Sequence, residues 1–383
     1  MSNLSDVRMA TTLTICQIKV IDLRCHEEMT WLCSEGLNLL LGANGSGKTS
    51  LLESVYLMAH GRSFRQARDP FLVRRGQDRF LIKGQWRRFG PMNLSVAGRR
   101  GQTSIRLQGC DVQRRKDISE SFPVLVEAPQ GRKLIDGAPN ERRRWLDALV
   151  MVCNPVMRGH FERYLRAVMQ RSRLLRRKIL SDEVDVWEHQ IVQYGLTIVT
   201  AREIIITELN NYLADEIFLT EQPLSISLNN IEYTEQVWLD RLKNGRTNDM
   251  KAGGLRYGPH CDVLFFHFQQ REIRSAGSRG QQKLAAIALK MAECAMWSKY
   301  RRLVPVLLLD DCLEALDAER QLRVLKRLQE SPAQVLMTAP NGVNISQDLN
   351  IRIQSLNAQG LLEQVNNSTM TSINNEESME EAA

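Results

Sequence analysis

Residues 42–49 read Gly-Ala-Asn-Gly-Ser-Gly-Lys-Thr, between an apolar run and a helical pattern. The Gly-x-x-x-x-Gly-Lys-Thr spacing requires a strand, a turn that wraps an anion and a helix, in that order. Gly42, Gly45 and Gly47 let the backbone close round the ligand, with the N–H groups of Ala43, Asn44 and Ser46 turned inward among them. Lys48 supplies a point charge for the β- and γ-phosphates. The Thr49 hydroxyl is suited to ligate Mg²⁺, and Ser50 follows it in the first helical turn. Leu37, Leu39, Leu40 and Leu41 give the preceding buried strand; Leu51, Leu52, Val55, Met58 and Ala59 recur at helical spacing after it. The helix then points its N-terminus, the positive end of its dipole, at the phosphates. The stretch predicts a nucleoside triphosphate site with Mg²⁺.

Two distant segments complete that chemistry. The apolar run 304–309 ends in Asp310 and Asp311. Such a strand end suits a phosphate loop: Asp310 is assigned to Mg²⁺, directly or through water, and Asp311 to orienting or deprotonating the attacking water. Apolar residues followed by two acids also make ordinary turns, so the pair gains its meaning from Lys48. Residues 275–283, Ser-Ala-Gly-Ser-Arg-Gly-Gln-Gln-Lys, lead into a helix predicted over 284–297. Ser278, Arg279, Gly280 and Gln281 there make either a second anion site or a simple helix cap. They resemble the signature motif of ABC-type ATPases, which implies two chains sandwiching two ATP molecules.

Around these motifs the order strand–helix–strand predicts an α/β core, with a largely parallel sheet. Leu13, Ile15, Ile18 and Val20 suggest a first strand, and 80–86, 92–96 and 103–107 read as short antiparallel strands. A strand over 124–127 precedes Ala128-Pro129-Gln130-Gly131. From 140 to 211 the pattern turns helical. One face holds Phe161, Leu165, Val168, Ser172, Leu175 and Ile179; the others carry Arg158, Arg163, Arg166, Arg171, Arg173, Arg176, Arg177 and Lys178. A second helix is expected over 186–213, able to pair with the first as an arm, while sustained heptads are absent. The expected organisation is an ATPase head over 1–130 and 250–360, an inserted helical lobe over 131–249 and a disordered tail over 361–383.

The chain carries a formal net charge of +7. The tail holds Glu363, Glu376, Glu377, Glu380 and Glu381 and no Lys or Arg, so the body is more basic than the whole. A polyanionic partner is one reading; a solvated arginine-rich helix face is the other. Arg62, Arg65, Arg173, Arg176 and Arg177 are the nucleic-acid candidates. No apolar run is long enough for a bilayer, and eight scattered cysteines without Cys-x-x-Cys suit a reducing cytosol, so no membrane role, no structural metal and a cytoplasmic location are expected.

The motifs in order resemble the RecF family of DNA repair proteins over roughly residues 13–356. They are residues 42–49, Gly61-Arg62-Ser63-Phe64-Arg65, Gly137-Ala138-Pro139 and Arg142-Arg143-Arg144-Trp145-Leu146-Asp147, then Gly258-Pro259-His260, Ser278-Arg279-Gly280-Gln281 and Leu309-Asp310-Asp311 with Leu316-Asp317. The resemblance implies an SMC-like ABC ATPase head with mixed sheets and a helical lobe. It implies ATP-dependent homodimerisation, weak DNA-dependent ATP hydrolysis, and binding to single-stranded, gapped or junction DNA. It further implies cooperation with RecR and RecO in loading RecA. The chain departs from the family pattern at Leu125, where glutamine is expected, and at Cys261, Asp262, Gly277, Glu314 and Ala315. A transporter-type or SMC-like ABC ATPase with another partner, or a scaffold that uses ATP only as glue, is the competing expectation.

Overall fold

The computed structural model describes residues 10–65, 71–99, 102–129, 134–179, 181–229, 234–343, 345–346, 348–357 and 361–365. The chain divides into two compact units: Met1–Lys133 with Phe218–Glu221 and Gly277–Ala383, and Leu134–Ile217 with Gln222–Ala276.

In the first unit the chain forms β1 (Thr14–Leu23), β2 (His26–Leu32), β3 (Leu37–Gly42) and α1 (Lys48–His60). It continues through β4 (Arg79–Arg87), β5 (Pro91–Arg99), β6 (Gln102–Leu107), β7 (Cys110–Asp111), α2 (Arg115–Ser121) and β8 (Val124–Glu127). The antiparallel sheet runs β2-β1-β4-β5-β6-β7. In β4 buried and solvent-facing residues alternate, as expected of a sheet with one wet face. Ile15 and Ile18 are both fully buried although three residues apart, because a bulge between Ile15 and Gln17 resets the alternation.

The second unit is mainly helical: α3 (Pro139–Cys153), α4 (Met157–Arg176), α5 (Asp182–Ala214) and α6 (Glu235–Ala252). A small antiparallel sheet, β9 (Leu224–Leu228), β10 (Leu264–Phe268) and β11 (Arg271–Glu272), completes it. This unit runs on to Ala276 rather than ending at 249, since β10 pairs with β9 of the same unit. The expected apolar face of α4 is also displaced. Leu165 is half exposed, and the buried stripe is Met157, Tyr164, Ala167, Arg171 and Leu175. Arg171, expected on the wet side, is fully buried because Glu188 and Asp249 neutralise it, at 2.9 and 2.7 Å.

The first unit closes with α7 (Arg279–Arg301), β12 (Val306–Leu309), α8 (Ala318–Gln329), β13 (Val335–Ala339), β14 (Ile351–Leu356) and β15 (Leu362–Gln364). The second large sheet is ordered β15-β14-β3-β13-β12-β8, parallel throughout except for β15. The tail expected from 361 thus contributes an edge strand through 364, and residues 366–383 lie outside the described residues. Every residue of β3 is buried, and α1 fills the space between the sheets with Leu51, Leu52, Val55 and Met58. Parallel pairing places the ends of β3, β12 and β13 on one rim, where sheets of this kind bind ligands. Among the described residues no helix is long and apolar enough to cross a membrane.

Candidate nucleotide site

The phosphate loop leaves β3 at Gly42 and enters α1 at Lys48. Gly47 has φ 102°, a left-handed conformation that only glycine adopts without strain. Lys48 is buried, its Nζ donating to the Gly42 carbonyl at 2.6 Å and the Ala43 carbonyl at 2.9 Å. Burial holds its ammonium below the ordinary lysine range, and the charges of Asp311 and Asp310 work against that shift.

The acids arrive at the same rim. Thr49 Oγ1 donates to Asp310 Oδ1 at 2.8 Å, and so does Thr338 Oγ1 from the end of β13. Burial raises the Asp310 carboxyl, the two hydroxyl bonds and Arg65 lower it, and the neighbouring Asp311 adds to the rise. The Thr338 hydroxyl also accepts the Asp311 N–H at 3.0 Å. Asp311 Oδ1 and Ser46 Oγ are buried and hydrogen-bond to nothing among the described residues. Buried oxygens of this kind at a rim carrying Thr49 and Asp310 fit a hydrated Mg²⁺ and phosphate, which would supply the missing partners.

A cavity of about 890 Å³ opens here, lined by Asn44, Gly45, Lys48, Thr49, Arg65 and Asp311 among others. That size suits a nucleoside triphosphate. Arg65, expected on a nucleic-acid surface, faces this cavity instead, because Ser63 Oγ accepts its backbone N–H at 3.0 Å and itself donates to buried Glu53. Arg62, Arg173, Arg176 and Arg177 are exposed.

Ser278, Arg279, Gly280 and Gln281 do not line the cavity of their own chain. Ser278 caps α7: its Oγ accepts the Gln281 N–H at 3.2 Å, while Gln281 Oε1 accepts the Ser278 N–H at 2.9 Å. As an acceptor the Ser278 hydroxyl is used; its own O–H remains available as a donor. Leu125, where the resemblance implies glutamine, is a buried residue of β8 opposite Leu307, and Gln130 lies outside the described residues. Asp262 is also buried, ion-paired to Arg202 at 2.8 Å, so it braces the helical unit.

Sequence reasoning missed Thr338 and Lys283. Lys283, one turn into α7, donates to the carbonyls of Asp311 at 2.9 Å and Glu314 at 2.6 Å. These clasp a turn in which Asp311 and Ala315 both hold left-handed φ values, 46° and 62°. Gly280 lies beside that turn, where a Cβ would meet Leu316 Cδ2 at 3.4 Å, an ordinary contact. Lys283→Ala should release the turn and lower kcat for ATP hydrolysis about tenfold or more with KM nearly unchanged, as loss of charged hydrogen bonds implies. Steady-state kinetics check this, with partial rescue expected in Lys283→Arg.

A family model described as RecF/RecN/SMC N terminal domain matches residues 14–356. The DNA replication and repair protein RecF of Stenotrophomonas maltophilia (strain R551-3) is 35% identical over 317 residues, 79% of this chain and 86% of the relative. The protein of that name from Moorella thermoacetica is 30% identical over 345 residues, 86% and 91% of the two chains. Among solved structures, the recombination mediator protein RecF-ATPrS of the RecFOR pathway matches with a TM-score of 0.74 at 23% identity, covering 94% of this chain and all of that one. An Smc head domain from Pyrococcus furiosus matches with a TM-score of 0.61 at 15% identity, covering 95% and 99%. These structural likenesses establish an SMC-type ABC ATPase head fold. Sequence similarity to curated relatives is sustained along most of the chain rather than confined to the phosphate loop, and on that ground the chain belongs to the RecF family.

Proposed function

We propose that this chain is an ATP-dependent DNA-binding protein of recombinational repair and replication, acting in the cytoplasm as a slow ATPase switch. ATP closes two copies into a homodimer on gapped or junction DNA, and hydrolysis releases them. The convergence of Lys48, Thr49, Asp310 and Asp311 on one rim carries this reading. The Ser278 turn supports it too, because it stands apart from its own chain's cavity and is free to cover a second copy's nucleotide.

The backbone N–H groups of Asn44, Gly45 and Gly47 along the cavity wall and the Lys48 ammonium hold and orient the phosphates, while the Ser46 N–H is taken by the Ala43 carbonyl at 3.2 Å. Thr49 and Asp310 would hold Mg²⁺, which neutralises charge on the β- and γ-phosphates. Asp311 orients the attacking water and accepts its proton. The exposed arginines Arg62, Arg173, Arg176 and Arg177 are the DNA contacts of this reading, with the Arg65 charge reserved for the nucleotide. Membership of the family supports RecR and RecO as partners and RecA as the recombinase loaded.

Light scattering with ATP, ADP or no nucleotide, with and without gapped DNA, tests the switch. A doubling of mass with ATP that is lost in Lys48→Ala is expected; a constant mass overturns it. DNA affinity should fall about 10³-fold between about 50 and 200 mM salt if six phosphates are neutralised. A flat salt series removes DNA from the reading.

A further inference from the structure

Cys25 ends the turn between β1 and β2, His26 opens β2, and both lie against the phosphate loop. A Cβ added to Gly47 would sit 2.6 Å from the Cys25 Sγ and equally close to His26 Cε1 and Nε2. His26 Nε2 donates to the Gly47 carbonyl at 3.0 Å, which leaves Nδ1 as the basic nitrogen of the neutral ring. Arg24 anchors the turn, clamping buried Glu53 of α1 through two bonds of 2.9 and 2.8 Å. The thiol is therefore held in place by both neighbours.

Cys25 is exposed to the cavity that holds Lys48, Arg65 and Arg75. The buried Nε of Arg65 makes no hydrogen bond among the described residues. A hydrogen bond with His26 draws the thiol below its ordinary range; burial opposes that shift, and the charges of His26 and Arg65 reinforce it. Of the eight cysteines only Cys25 and Cys110 are exposed. Burial pushes Cys312 up to about 12 and raises Cys33 and Cys294 as well. A thiol paired with imidazole, beside cations and open to a cavity, is the arrangement that makes cysteine nucleophilic.

We infer that Cys25 is a reversible modification site for small anionic disulfides of the glutathione type, and that the adduct closes the phosphate loop to nucleotide. The inference rests on reading this cavity as the nucleotide site. The thiol proton passes to His26, and the Cys25 thiolate attacks one sulfur of the disulfide. A bond from Sγ to that sulfur forms, the original S–S bond breaks, and the other half leaves as a thiolate that takes up a proton. The disulfide is the oxidant, so no further co-reactant is needed. The carboxylates of the adduct face Lys48 and Arg65 as phosphates would, and a small thiol reverses the exchange. Nucleotide already bound covers the Sγ.

The full chain is treated with oxidised glutathione, with and without ATP and Mg²⁺, and the adducts are mapped by mass spectrometry. Binding of a fluorescent ATP analogue is followed in parallel. Cys25 should react about tenfold or more faster than Cys110, and ATP should slow it by a similar factor. The modified protein should lose nucleotide affinity about tenfold or more, and dithiothreitol should restore it. In Cys25→Ser the affinity, whatever its starting level, should not change on treatment; His26→Gln should slow adduct formation. Equal labelling of Cys110, or an adduct at Cys25 that leaves analogue binding intact, overturns the inference. If the untreated protein binds no analogue, the nucleotide reading itself has failed, while the Cys25 to Cys110 rate ratio still reports the reactivity.

Discussion

Asp311→Asn is expected to bind ATP nearly as well as the parent and to hydrolyse it about 10²–10⁴-fold more slowly, the range typical for loss of a positioned general base. Asp311 sits at the cavity wall, and its Oδ1 makes no hydrogen bond among the described residues. Its neighbour Asp310 is committed differently, accepting from Thr49 and Thr338 at 2.8 Å. Asparagine keeps the shape and the backbone bond to Thr338 but cannot take a proton. A single-turnover assay separates chemistry from release. The substituted protein should also linger as an ATP-bound dimer. Hydrolysis within a few-fold of the parent would remove Asp311 from the chemistry and favour a base supplied by another residue.

Arg171→Ala should cost the helical unit about 3–5 kcal/mol, the usual consequence of breaking a buried ion pair from one side. Arg171 is 0% exposed and ties three helices: Nε to Glu188 at 2.9 Å, Nη1 to Asp249 at 2.7 Å and Nη2 to the Leu242 carbonyl at 2.8 Å. Removing it strands Glu188, itself fully buried, with Arg246 alone among the described residues to answer its charge. At about 2–4 °C per kcal/mol for a unit of this size, the melting transition should drop by about 10 °C. Calorimetry would show it as a separate or broadened transition, with the head's transition less affected. A drop below about 2 °C would mean that water or a neighbouring charge replaces the guanidinium.

The phosphate loop, its flanking strand and helix, and the strand before Asp310 were legible because each is encoded by neighbours in sequence. Leu37, Leu39, Leu40 and Leu41 are apolar on both faces of β3 since both are covered, and Gly47 needs its left-handed φ locally. The helical unit was legible in kind but not in packing. A run of arginines on α4 reads as a wet surface, and nothing near Arg171 in sequence announces that Glu188 and Asp249 will meet it. Its boundary was missed for a related reason: β9 and β10 pair across α6, and that pairing carries no local signal. Lys283 and Thr338 escaped notice because their roles are defined by oxygens of the turn after β12, reached only through the sheet's crossovers. His26 and Cys25 look like an ordinary turn until Gly47 is seen beside them.

The position of β3 has a consequence for synthesis. It is among the first strands to leave the ribosome, yet both strands that flank it, Val335–Ala339 and Ile351–Leu356, are translated near the end. The Asn38 side chain, for example, donates to the Val335 carbonyl, a partner 297 residues later. A nascent chain therefore holds a leucine-rich segment with two bare edges for most of its translation, a state that invites capture by chaperones. Until Leu356 has emerged, the strand that feeds the phosphate loop lacks its last partner.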